Sequence, residues 1–172
     1  MKNILRLSAA ALLLSVGSFS TASAQASATA TATATIVTPI SISKTTDMNF
    51  GNVAVNATTA GTVEMTPAGS RTPTGGVTLP ATQGTVAAAS FDVSGQAGYT
   101  YAITLPTTTL AISNGSASMD VHSFTSSPSA TGTLSSNGTD VVTVGATLDV
   151  DPAQAAGIYS STTPFSVTVN YN

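Results

Sequence analysis

Histidine occurs once in this 172-residue sequence, at His122, and cysteine and tryptophan do not occur at all. His122 sits in Met119-Asp120-Val121-His122-Ser123, with Met119 and Val121 on one strand parity and His122 on the other. That placing suits a surface or loop-edge imidazole better than a zinc ligand, because zinc sites need three or four ligands and no thiolate is available. Asp149-Val150-Asp151 with Asp140 offers the oxygen ligands that calcium takes. The spacing lacks the glycine and glutamate of a calcium loop, so two outward-facing acids on a strand end is the preferred reading. No Gly-x-Ser-x-Gly elbow is present, and one histidine makes a triad improbable. Gly75-Gly76 precedes a strand and no helix N-terminus, so it reads as a turn and not as a phosphate cradle. Thr29, Thr31, Thr33 and Thr35 form a hydroxyl ladder too narrow for a flat ice- or crystal-binding plane. General acid–base catalysis needs titratable groups converging in a pocket. This inventory points to no enzyme, no cofactor and no metal.

Charge narrows the partners. Only 6% of residues are charged, against about 25% in ordinary soluble domains. Met1 to Ala24 read as a secretory signal: Lys2 and Arg6 form the positive region, Leu7 to Val16 the apolar stretch, and Ala22-Ser23-Ala24 the cleavage site before Gln25. That apolar run is too short to span a membrane, and no later segment comes near. Beyond it only Lys44 and Arg71 face seven carboxylates. Two cations cannot neutralise a phosphate backbone, which excludes nucleic acid. A basic amphipathic membrane helix is equally unsupported. Export without cysteine requires a full-sized core instead of disulfide staples.

The elements that must position any site are strands. Period-two alternation recurs at Ala87, Ala89, Phe91 and Val93, at Tyr99, Tyr101, Ile103 and Leu105, at Val142 to Val150, and at Phe165, Val167, Val169 and Tyr171. Threonine and valine abound, and both are stiff at χ1 and suit a pleated sheet. Turn signals separate the runs, the strongest being Asn114-Gly115 and Asn137-Gly138. About nine short strands at such spacing predict an all-β, immunoglobulin-like β-sandwich, with a closed barrel second. Thr125 to Ser136, rich in small polar residues, is expected to be an exposed, mobile loop. Helix is expected to be nearly absent.

Residues 25–35 differ. They read Gln-Ala-Ser-Ala-Thr-Ala-Thr-Ala-Thr-Ala-Thr, with Ala26, Ala28, Ala30, Ala32 and Ala34 on one parity that continues to Ile36, Ile40 and Ile42. Each alanine offers one methyl, worth roughly 0.8 kcal/mol on burial, so the segment cannot nucleate a core. Its backbone can still pair. Three readings stand for this arm: a donor strand for another chain, a flexible low-complexity linker, or a strand in its own sheet. At the other end the sequence closes on Phe165-Ser-Val-Thr-Val-Asn-Tyr-Asn, an expected strand with four apolar groups on one face. An unpaired edge beside an apolar groove is an aggregation hazard that must be covered. Strand addition covers it, and a chain carrying both arm and groove makes a heterologous, non-closing contact that yields a fibre.

Asp47-Met-Asn-Phe-Gly-Asn-Val, Thr66-Pro-Ala-Gly-Ser-Arg71, Phe91-Asp-Val-Ser-Gly95, Tyr101-Ala-Ile-Thr-Leu-Pro106, Val144-Gly-Ala-Thr-Leu148 and Val167-Thr-Val-Asn-Tyr-Asn carry a further signal. Over residues 36–172 the chain resembles a family of secreted bacterial domains of unknown function, itself distantly similar to cysteine-free fimbrial subunits of the chaperone–usher kind. Those pilins are incomplete immunoglobulin-like sandwiches that polymerise by donor-strand exchange, and they share the alternating last strand, the penultimate tyrosine (Tyr171) and an upstream glycine (Gly157). This chain differs in a slightly longer Gly157 spacing and in alanines where donor strands carry bulky anchors. It also lacks the disulfide of many pilins.

The resemblance implies a pilin-like subunit of a fimbrium used in cell adhesion, with its own copies, a periplasmic chaperone and an outer-membrane usher as partners. The expected domains are a signal at 1–24, an arm at 25–35 and a sandwich at 36–172. Donor residues are Ala26 to Ala34 on the even positions and Ile36; the acceptor groove is Phe165, Val167, Val169 and Tyr171. The protein is expected in the periplasm in transit, then at the cell surface. The alternative is a monomeric secreted module binding a surface or glycan, tethered by the arm.

Overall fold

The computed structural model describes residues 24–172, so the signal segment at 1–24 lies outside the described residues apart from Ala24. Residues 36–172 form one compact unit. Residues 24–35, taken by themselves, carry neither helix nor strand and are exposed throughout. The compact unit is all-β with antiparallel pairing, and no helix occurs among the described residues.

Twelve strands follow in order: β1 (Ser41–Thr46), β2 (Ala54–Val55), β3 (Gly61–Met65), β4 (Arg71–Gly75), β5 (Val77–Thr78), β6 (Ala89–Ser94), β7 (Thr100–Thr104), β8 (Leu110–Ser113), β9 (Ser118–Ser127), β10 (Thr131–Thr133), β11 (Thr139–Val150) and β12 (Thr168–Tyr171). The larger sheet has the order β1-β6-β11-β3-β4, with β9 on the other side of β11 and β8 beyond it. A three-stranded sheet has the order β10-β7-β12, and β2 pairs with β5.

β11 organises the larger sheet. Along one edge Thr139 to Val144 pair with β6 and Ala146 to Val150 pair with β3. Along the other, Thr143 to Leu148 pair with β9. Its alternation of Val142, Val144, Ala146, Leu148 and Val150 puts five apolar side chains on one face, each at most 2% exposed, and burying a valine or leucine contributes about 1.5–3 kcal/mol. The change of partner from β6 to β3 falls at Gly145, where an added Cβ would overlap the Met65 carbonyl oxygen. Only glycine lets the end of β3 approach so closely.

Two core clusters lie along β11. The first joins Phe91 and Val93 of β6 and Val142 and Val144 of β11 to Tyr101 and Ile103 of β7, so the two sheets share it. The second gathers Val63, Val121, Ala146, Leu148 and Val150. Tyr101 is fully buried, and its hydroxyl donates to Asp140 Oδ2 at 2.7 Å.

Several expectations change. Thr125 to Ser136 is no loose loop: β9 runs to Ser127, β10 pairs with β7, and Leu134 is 1% exposed in the first core. The last strand is shorter than its alternation suggests, because ladder pairing covers only Thr168–Tyr171. Thr168 faces Thr104, so the same register would set Ser166 against Pro106, which has no N–H to donate. Phe165 and Val167 keep the inward parity without a ladder partner. On the outer edge of the larger sheet, Thr66 N–Ser70 O and Gly76 N–Ala60 O bonds bracket the β3–β4 hairpin and set Pro73 at a position whose backbone faces outward.

Burial, then the hydrogen bond to Asp140 and its negative charge, push the Tyr101 phenol above its ordinary value. Its contribution to stability is therefore complete below the unfolded-chain value of about 10 and drains away as pH rises above it. Tyr101→Phe should lower stability by about 1–2 kcal/mol near neutral pH and flatten the alkaline fall, as read from urea midpoints on both sides of pH 10.

Candidate functional site

Of the strands that end a sheet with one side unpaired, β1 and β12 lie over a shared core. Among the described residues β1 pairs only with β6, and β12 only with β7. These edges border the same core. Ile40 and Ile42 close over the first cluster from the β1 side, and Phe165, Val167 and Tyr171 from the β12 side, all half-buried. The Phe165 ring lies 6.3 Å from Phe91 and 5.0 Å from Phe124 between centroids. Val169 is buried at 7% exposure. The two edges come near each other without a ladder between them.

A hydroxyl latches one end of this region. Tyr171 Oη accepts from Gln96 N at 2.6 Å and donates to the Thr38 carbonyl at 2.7 Å, while Thr38 N donates to Gln96 Oε1 at 3.3 Å. Tyr99 packs against Tyr171 with the rings tilted and their centroids 5.7 Å apart. The fit depends on Gly95, where a Cβ would overlap the Tyr171 hydroxyl. β1 starts at this end, with Ser41 opposite Ser94, and β12 finishes here. The two edge strands therefore run in opposite directions.

The four expected groove residues thus gather on one edge. The sequence reading did not single out Ile40 and Ile42, which cover the same core from β1, although their shared parity was the signal. It also missed Phe124, which an irregularity conceals: between His122 and Thr125 β9 has one residue more than β11, and Ser123 adopts φ 53°. The expected donor residues Ala26, Ala28, Ala30, Ala32 and Ala34 lie in no strand, and Ile36 is 96% exposed. An open hollow of about 490 Å³ lies where β7 and the segment before β12 diverge past Pro106, lined by Leu105, Leu110, Pro164 and Phe165.

His122 and Asp149 lie on β9 and β11, away from these edges. His122 Nε2 is 3.1 Å from Asp149 Oδ2, and its Nδ1 is 2.8 Å from Ser123 Oγ. Asp140 receives the Tyr101 bond. Among the described residues no three His, Asp or Glu side chains gather to hold a metal ion, and no helix is long and apolar enough to cross a membrane.

The family described as Domain of unknown function (DUF4402) matches residues 40–171, from Ile40 on one edge to Tyr171 on the other. No curated protein and no solved structure matches the chain.

Tyr171→Phe removes both bonds of the latch. At about 0.5–1.5 kcal/mol for each, it should cost about 1–3 kcal/mol in chemical denaturation and speed amide exchange over residues 38–42 ahead of the rest of the sheet.

Proposed function

We propose that this chain, which belongs to the DUF4402 family, is a structural subunit of an extracellular bacterial fibre. Its folded unit is an immunoglobulin-type β-sandwich one strand short, completed by the N-terminal arm of a neighbouring copy. The observation that carries this reading is the unpaired edge of β12 beside half-buried Phe165 and Val167.

Strand order supports it. In an immunoglobulin sandwich strands A, B, E and D form one sheet, and C, F and G the other. Here β1, β6, β11 and β9 lie side by side in that first order, and β7 pairs with β12 as C pairs with F. The chain order of these six strands is also that of A to F. Strand G would lie on the free edge of β12, and no described strand occupies it. Strand addition supplies such an edge with main-chain bonds, while alternate side chains fill the groove.

The arm has the right properties for the task. Its alanines at alternate positions let a backbone lie flat between two edges, so its hold comes mainly from the ladder and less from side-chain burial. A chain that carries both arm and groove adds copies head to tail. A periplasmic chaperone protecting the groove and an outer-membrane usher are the partners this assembly calls for, with the cell surface as destination.

Size-exclusion chromatography of the chain from Gln25 should give a ladder of polymers. The same chain without Gln25 to Thr35 should give a folded monomer. Polymers that persist after the deletion would overturn the donor role of the arm. A stable monomer from the undeleted chain would favour the surface- or glycan-binding module instead.

A further inference from the structure

We infer that the open hollow where β7 and the segment before β12 diverge is a binding site for an uncharged glycan. This goes beyond the fibre reading and does not need the arm, so a single subunit and a polymer would both carry it.

The hollow exists because the two sheets differ in length. β11 of the larger sheet has twelve residues, whereas β7 and β12 have five and four. Their ladder stops at the pair Thr104 and Thr168, and residues 105–109 and 161–167 lie outside every described strand. Both segments are tied to β8. The first enters it at Leu110, and the second starts from Ser160, whose backbone is bonded to Ser113 at the end of β8. Between them the two segments leave about 490 Å³, within the roughly 300–1,000 Å³ of small-ligand sites.

The lining selects the ligand. Leu105, Pro106, Leu110 and Phe165, all half-buried, give it apolar surface. Phe165 is a fixed support, because its ring also packs near Phe91 and Phe124. Beside them stand the exposed residues Thr108 and Thr109 on one wall and Thr162, Thr163 and Ser166 on the other. Thr62 and Thr74 share a hydroxyl bond at 2.7 Å, and Ser41 and Ser94 one at 2.8 Å, whereas among the described residues these five hydroxyls have no protein partner. Each keeps its donor and its acceptors for a ligand. No lining residue is charged. A charged ligand would lose water there without gaining a counter-ion, and a hydrocarbon would desolvate the hydroxyls without bonding them. A peptide strand fits no better, since Pro106 and Pro164, one on each wall, offer no N–H to a ladder. A pyranose meets every requirement: it is neutral, its ring C–H groups form an apolar patch, and its hydroxyls both donate and accept.

The chain from Gln25, applied to a printed array of neutral and of carboxylate- or sulfate-bearing oligosaccharides, should retain neutral ones. Saturation with the best retained neutral oligosaccharide should slow amide exchange over residues 105–109 and 161–167 and leave the β3–β4 hairpin unchanged. Thr162→Val combined with Thr163→Val removes two hydroxyls from one exposed wall and should weaken binding several-fold. Thr62→Val, on the outer face of the larger sheet, should leave binding as it is. Retention of no oligosaccharide or of charged ones only would overturn the proposal, as would protection confined to other segments or a double variant that binds like the parent. Polymers that bind no neutral oligosaccharide would leave the fibre reading standing without the site. A stable monomer that binds one through these segments would leave the site standing without the fibre.

Discussion

A peptide group at the margin of a sheet must bond to water, to its own chain or to another molecule, and this constraint shapes the protein more than any side-chain chemistry does. Each margin meets it differently. The outer side of β8 is partly covered by the exchange of bonds between Ser113 and Ser160. β1 and β12 each have one open side, as β4 and β10 do, but these two lie over one core. Charged residues, the usual guards of such margins, are scarce here: Lys44 of β1 is bonded to Asp47, and β12 has none. The open sides are thus left free for backbone pairing, which is the feature on which the fibre reading stands.

Legibility in the sequence followed burial. β6, β7 and β11 stand out because one face is fully buried and the other is not, so the period of two survives intact in Phe91-Val93, Tyr101-Ile103 and Val142-Val150. β9 is harder to read, since the extra residue at Ser123 moves the inward position from Val121 to Phe124 and breaks the alternation. β2, β5 and β10 have two or three residues each, too few for any period. Thr125 to Ser136 looks like a linker by composition, yet Leu134 alone anchors it in the core. The last strand fails by half for a reason that is not in it: its partner β7 ends at Thr104, and continued pairing would meet Pro106. The inward parity of Phe165 to Tyr171 was legible, whereas that of Ile40 and Ile42 against the same core could be assigned only once β1 was seen at an edge.

The motifs that carry the family resemblance are largely fastenings. Arg71 donates through one guanidinium nitrogen to the Phe50 and Asn52 carbonyls, joining the segment after Thr66 to the segment after Asp47. Asn49 exchanges backbone bonds with Ala87, and Asn52 Nδ2 reaches the Thr82 carbonyl. With so few charges, this arginine acts as a fixed fork for backbone oxygens and not as part of a binding surface. The sequence similarity therefore speaks first about how the fold is held.

Pro73 sets a limit on how such molecules can gather. It sits in β4, the far flank of the larger sheet, with its backbone turned outward and no amide hydrogen to offer. A second sheet cannot dock along that flank in regular register, so copies arranged side by side would find no continuous seam there. In a fibre of the proposed kind, that flank would therefore not join neighbouring filaments side by side.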